Sequence, residues 1–310
     1  MTGADLTTTL AGTRLPTPLL TASGCAGTGR ELGPFLDLAG LGGFVTRTIT
    51  LDPRSGAAGP RIAETASGVL HATGLPGPGV NGFLATELPW LAQRGVRTVV
   101  SIAAATLGEY AELARRVGTS PGVTGVEVNL SWPEDGRASR PYHAAKAVAV
   151  VRRDVPRGVP VLVKLPADGA VVDLARAVAE AGADGVVVVH GVPGMAIDPR
   201  TLRPLLGADG AGGWLSGPAV HAVALRCVFA VHAALPDLPV VGVGGVRSGR
   251  DALAMLAAGA SAVQVGTAVL TDPSAPQRIL AGLADELAAR NIPAVADLIG
   301  RAHREEEEQS

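Results

Sequence analysis

Eight short apolar runs, each stopped by Gly, Ser, Thr or Pro, set the limits on what this chain can fold into. They read PLLTASG (residues 18–24), GFVTRTI (43–49), TVVSIAA (98–104) and GVEVNLS (125–131), then PVLVKLP (160–166), GVVVVHG (185–191), PVVGVGG (239–245) and AVQVGTA (262–268). The runs are near-continuous rather than alternating, which is the pattern of parallel strands covered on both faces. Between them lie helical patterns rich in Ala, Leu, Glu and Arg. LGEYAELARRVG is one, and VVDLARAVAEAGAD is another, closing at Gly182 as a C-cap. In SGRDALAMLAAGAS, Ser248 is the expected N-cap, with Asp251 three residues on at the capping-box position. Strands alternating with helices over about 250 residues predict an α/β fold of the (β/α)₈ TIM-barrel type. A single domain is expected over residues 1–300, followed by an acidic disordered tail at 301–310. An open doubly wound sheet is the alternative, but its GxGxxG signature is missing: GCAGTGREL has the wrong spacing.

Composition removes several function classes. The formal net charge is -2 and aromatic residues make up 3%, so neither nucleic acid nor an anionic membrane is an expected partner. The two cysteines, Cys25 and Cys227, lie far apart and form no CxxC pair, so no metal or iron–sulfur site is expected from this chain alone. MTGADLTTTL has neither a basic region nor an apolar core of signal-peptide type, and no window holds 18 consecutive apolar residues. A cytoplasmic protein with reduced thiols is the expectation.

Chemistry concentrates after the strands. Residues 54–97 and 195–222 exceed normal connector length, and long βα loops of a barrel build its site or lid. Strand 7 ends GVGGVRSG and strand 8 ends VGTAVL. These are the two strands whose loops bind phosphate in barrels, so Gly244, Gly245, Gly266 and Thr267 form a candidate phosphate cradle. Glycines that merely turn the chain are the plainer reading. Lys164 stands on an otherwise apolar strand, where a buried ammonium needs an anion or a polar ring. It could form a Schiff base, stabilise negative charge on a cofactor ring, or simply reach solvent from the strand end. The turn NLSWPED, residues 129–135, follows a strand as a catalytic loop would. Its central residue, Trp132, cannot exchange a proton at neutral pH.

TASG, PRIAETASGVLHATGLPGPGV, VEVNLSWPE, VLVKLP, GGWLSGPAVHAVALR, VVGVGGVRSGRDAL and AGASAVQVGTAVL together, in order and spacing, resemble dihydroorotate dehydrogenase from about residue 15 to 285. The resemblance implies a (β/α)₈ barrel with FMN at the carboxyl ends of its strands, oxidising dihydroorotate in pyrimidine synthesis. Lacking a membrane-associated N-terminal extension, the chain looks like the soluble, class 1-like branch. Some of those members pair with an iron–sulfur flavoprotein subunit and others work as homodimers, so a homodimer with a possible electron-transfer partner protein is expected. By resemblance, Ala22, Ser23 and Gly24 line the isoalloxazine, with Thr48, Ser101 and Val189 at flavin-contacting positions. Asn129 and Lys164 meet the flavin's polar edge. Gly217, Gly244, Gly245, Gly266 and Thr267 hold the ribityl phosphate.

The substrate half departs from the family pattern. The family base, Cys or Ser, is Trp132 here, and the following Asn is Glu134. Arg47 stands for lysine, and His71, Gly77 and His190 stand for asparagines; among those asparagines only Asn129 remains. The substrate pocket is therefore expected from Arg47, His71, Gly74, Leu75, Asn129, His190 and Gly191. His71 and His190 are the acid–base candidates, Trp132 a lid, and Glu134 and Cys25 outside candidates. The expectation is an FMN-dependent oxidoreductase acting on CH–CH groups, passing hydride between a substrate carbon and flavin N5, on a substrate other than dihydroorotate. The alternatives are a genuine dihydroorotate dehydrogenase with a substitute base, a catalytically silent flavin-binding protein, and a Schiff-base lyase.

Overall fold

The computed structural model describes residues 3–131, 140–167, 170–206 and 212–304. All eight apolar runs form parallel strands of one sheet: β1 (Leu19–Thr21), β2 (Phe44–Val45), β3 (Thr98–Ile102), β4 (Val123–Asn129), β5 (Val161–Leu165), β6 (Gly185–Val188), β7 (Val240–Val243) and β8 (Ala262–Val265). The hydrogen-bonded order runs β1-β8-β7-β6-β5-β4-β3-β2. The seam between β1 and β2 is joined by Gly42 N–H to Leu19 O at 2.8 Å and Thr21 N–H to Gly43 O at 3.2 Å, so the sheet curls into the predicted barrel. Gly42 is required at that seam, because a Cβ there would lie 2.3 Å from the Thr17 carbonyl oxygen.

Alternation along the strands divides the core in two. Val126, Val128, Val161 and Val163 point outward and pack under the helices. Leu20, Ala22, Val45, Val99, Leu162, Val187, Val241, Val243 and Ala262 fill the bore. An antiparallel hairpin, Thr8–Leu10 with Thr13–Leu15, plugs the amino-terminal end through Leu10 and Leu15. Sequence reading gave no sign of it, since three-residue strands carry too little periodicity.

The outer helices follow the expected signals. Leu107–Gly118 is capped by Thr106, whose Oγ1 accepts from Glu109 N–H, and it buries Tyr110, Leu113, Ala114 and Val117 as one stripe. Val171–Glu180 ends before Gly182, which takes φ +100°. Gly249–Ala257 starts from a capping box between Ser248 and Asp251. The tail boundary moves. Arg301–His303 is a 3₁₀ turn, with His303 stacked on Phe229 at 3.9 Å and its Nε2 hydrogen-bonded to Ala258 O at 3.0 Å. Aromatic stacking anchors residues that composition assigned to the tail; positions 305–310 lie outside the described residues.

The two long excursions meet. Strand Gly213–Ser216 pairs with Val192–Gly194 on one side and Gly68–His71 on the other, and Ile62–Thr65 completes a four-stranded antiparallel sheet. It contributes one wall of the barrel mouth and sets His71 opposite Trp214.

Candidate functional site

A cavity of about 1050 Å³ opens at the carboxyl ends of the strands, lined by the turns that follow β1, β2, β6, β7 and β8, by Asn129 and Lys164 at the ends of β4 and β5, and by the antiparallel sheet. That volume is at the upper limit of ordinary ligand pockets, about 300–1,000 Å³, and is enough for a nucleotide with a small molecule beside it.

One end is built from backbone. Gly217, Gly244 and Gly245 adopt φ of +96°, +131° and +68°, conformations that side chains resist. A Cβ on Gly245 would come within 2.7 Å of His221 Cβ, and one on Gly244 within 2.7 Å of Ala224 Cβ. His221 Nδ1 donates to Gly244 O at 3.1 Å and fixes this turn. Gly266 lies across the cavity end, with Thr267 Oγ1 donating to Ser216 Oγ at 2.9 Å. The result is a bare backbone concavity with hydroxyls at its rim, suited to phosphate.

The middle is a hydroxyl and amide network. Thr48 Oγ1 sits between Ser23 Oγ (3.3 Å), Ser101 Oγ (3.0 Å) and Asn129 Nδ2 (3.1 Å). Asn129 Oδ1 accepts from Ser131 N–H at 2.9 Å, and Tyr110 donates its hydroxyl to Asn129 O at 3.3 Å. Burial pushes the Tyr110 hydroxyl up to about 12, so it stays a donor. Lys164 lines the cavity next to this network, and Ala22 and Gly24 form the adjoining wall.

The other end is aromatic. His190 meets Trp214 edge-on at 4.9 Å and His71 edge-on at 6.0 Å. Both imidazoles line the cavity, and neither hydrogen-bonds another described side chain. Burial, then the Lys164 charge, lowers the His71 pKa; the same causes, with His71 added, hold His190 well below 6.5. Both rings are neutral at pH 7, each with one N–H and one lone pair. Arg47 reaches the same chamber, with a buried Nε that has no partner among the described residues. Leu75, at φ +53°, completes the rim.

The structure brings together Ala22, Ser23, Gly24, Arg47, Thr48, His71, Leu75, Asn129, Lys164, His190, Gly217, Gly244, Gly245, Gly266 and Thr267 around one cavity. Four anticipated residues sit behind its wall. Ser101 and Val189 are fully buried, Ser101 acting through Thr48. Gly74 packs on the Gly56–Ala57 backbone, and Gly191 on Trp214 and Leu215. Cys25 also lines the cavity, and burial raises its thiol pKa against the opposing Lys164 charge. Gly77 lies beside the Arg47 stem, leaving room for that longer side chain. Trp132 and Glu134 lie outside the described residues. Sequence reading missed Ser216, which lines the cavity, and Trp214, which meets His190 behind it; the pairing of the two excursions brings both there.

The fold and this mouth define a (β/α)₈ barrel whose large cavity joins a glycine-lined backbone concavity to an aromatic chamber. The family model described as Dihydroorotate dehydrogenase matches residues 5–287, and the chain belongs to that family. It is 45% identical over 300 residues to a relative from Desulforudis audaxviator named "Dihydroorotate dehydrogenase B (NAD(+)), catalytic subunit", covering 95% of this chain and 96% of the relative. A relative of the same name from Pelobacter propionicus is 43% identical, covering 96% and 98%. Among solved structures, the dihydroorotate dehydrogenase of Eimeria tenella in complex with ferulenol superposes with a TM-score of 0.80 at 23% identity, covering 97% of this chain and 89% of that one, a likeness of fold.

Proposed function

We propose that this chain is an FMN-dependent dehydrogenase of CH–CH groups and that its substrate is dihydroorotate, with a histidine in place of the family base. The observation that carries this is the composition of one cavity: a glycine cradle at one end, Lys164 and Asn129 in the middle, and neutral His71 and His190 with Arg47 at the other. The names of the relatives support dihydroorotate over the expectation of another substrate. FMN fits the residues present: the cradle is space a Cβ would fill, and the Thr48–Asn129 network and Lys164 offer donors to a polar ring edge.

When bound, FMN supplies the hydride acceptor. Gly217, Gly244, Gly245, Gly266 and Thr267 would hold its phosphate, and Ala22, Ser23 and Gly24 its ring. Arg47 binds a substrate carboxylate, to which a guanidinium donates two parallel N–H bonds. His71 and His190 each present a donor and an acceptor to the C=O and N–H groups of a ring amide, as an asparagine amide does. The lone pair of neutral His190 accepts the proton lost from carbon. The antiparallel sheet forms the wall on that side. The relatives' designation as a catalytic subunit of an NAD(+)-linked enzyme supports an electron-transfer partner subunit as the route by which electrons leave.

A second reading, a different ring acid as substrate, is favoured by Arg47, His71, His190 and Trp132 standing where the family has lysine, asparagines and a Cys or Ser base. Anaerobic mixing separates the two. Bleaching of bound flavin by dihydroorotate supports the first; a flavin that dithionite reduces and dihydroorotate does not supports the second. Full reduction rates in both His71→Ala and His190→Ala would remove the histidines from proton transfer.

A further inference from the structure

Three buried polar side chains cross the bore beneath the cavity. Lys164 on β5 is 3% exposed, and Gln264 on β8 and Glu127 on β4 are both 0% exposed. Lys164 Nζ donates to Gln264 Oε1 at 3.0 Å, and Gln264 Nε2 donates to Glu127 Oε2 at 2.8 Å. Only Lys164 lines the cavity; the other two lie deeper.

The chain of hydrogen bonds has one direction. An ammonium only donates and a carboxylate only accepts, so the amide between them must turn its oxygen to the lysine and its NH₂ to the glutamate. Gln264 thus acts as a neutral spacer in a divided ion pair. Among the described residues, neither Lys164 nor Glu127 has another hydrogen-bond or ion-pair partner, and Glu127 Oε1 is buried with none. A lone charge in such a place is expensive, and two opposite charges joined by an amide are far less so. The ammonium has three N–H bonds; one is committed to Gln264, and the others are free for the cavity.

We propose that Glu127 is a positioning residue for Lys164: through Gln264 its carboxylate holds the ammonium at the cavity floor and limits how strongly that ammonium attracts negative charge on a ring bound above it. This rests on the cavity being an FMN site. While the ring is neutral, Glu127 and Lys164 balance each other. Once the ring turns anionic, Lys164 attracts it and Glu127 opposes the attraction. Removing the carboxylate's charge while keeping its shape should therefore favour the anionic ring, and chiefly while Lys164 is present, because a buried carboxylate that has lost its ammonium is driven to its neutral form.

Sulfite reads this without turnover. Its lone pair adds to flavin N5, an N–S bond forms as the C4a=N5 π bond breaks, and that electron pair leaves the ring anionic; sulfite itself is the two-electron donor, so no further reagent is needed. In the holoprotein, Lys164→Met should weaken sulfite binding by roughly tenfold or more, and Glu127→Gln should tighten it by roughly tenfold. In the Lys164→Met background, Glu127→Gln should change it by less than about threefold. An unchanged constant in Glu127→Gln, or an equal shift with and without Lys164, overturns the proposal. Urea unfolding of the FMN-free protein tests the pairing separately. Each single variant should lower the midpoint and the double variant should recover much of the loss, because removing one member strands the other. Additive losses would overturn the relay. If the wild type takes up no FMN, the cofactor reading fails, and the unfolding cycle alone decides whether the pair exists.

Discussion

Asn129 Nδ2 donates to Thr48 Oγ1 at 3.1 Å, tying the end of one barrel strand to the turn after another at the centre of the cavity. The same hydroxyl lies 3.0 Å from Ser101 Oγ and 3.3 Å from Ser23 Oγ, so one threonine holds three strand ends in register. Thr48→Val keeps the shape and deletes the hub. It strands a buried amide donor, at a cost of about 1–3 kcal/mol. Urea unfolding should show that loss, and FMN titration should show weaker binding.

Gly245 stands at φ +68° with a would-be Cβ 2.7 Å from His221 Cβ and 2.9 Å from Gly217 O. Gly245→Ala should fill the cradle and abolish FMN binding in a fluorescence titration. Gly95→Ala is the control. It shares a positive φ, +66°, but it lies outside the cavity lining with nothing within 4 Å, so only the backbone strain of about 1–2 kcal/mol remains.

His71 and His190 both have lowered pKa values. As pH falls below about 6.5 the unfolded chain takes up protons that the folded state resists, so stability must fall with pH in that window. Above it both states are neutral and the histidines contribute no slope. Unfolding at about pH 7.5 and about pH 5.5 should show the loss, and His190→Gln should flatten it. His232, also lowered by burial, leaves a residual slope.

The barrel was legible because its strands are buried on both faces and read as unbroken Val-rich runs, as in VLVKL and GVVVV. Ser248 with Asp251, and Gly182, marked helix ends for local reasons that need no tertiary contact. The glycine-lined end of the cavity was legible because the turns after the last two strands of a barrel fall at a fixed place, and Gly244, Gly245 and Gly266 stand there in the sequence. What stayed hidden depends on chain segments far apart. Trp214 reaches His71 only through strand pairing across 143 residues of sequence (214 − 71), and Gln264 meets Glu127 across 137 residues. No local pattern records either contact.

The most direct measurement is FMN binding to the purified protein, read from its visible spectrum with and without added cofactor. One FMN per chain, displaced from Gly245→Ala, is the predicted result. A colourless protein that takes up no FMN at saturating concentration would contradict the assignment of this cavity.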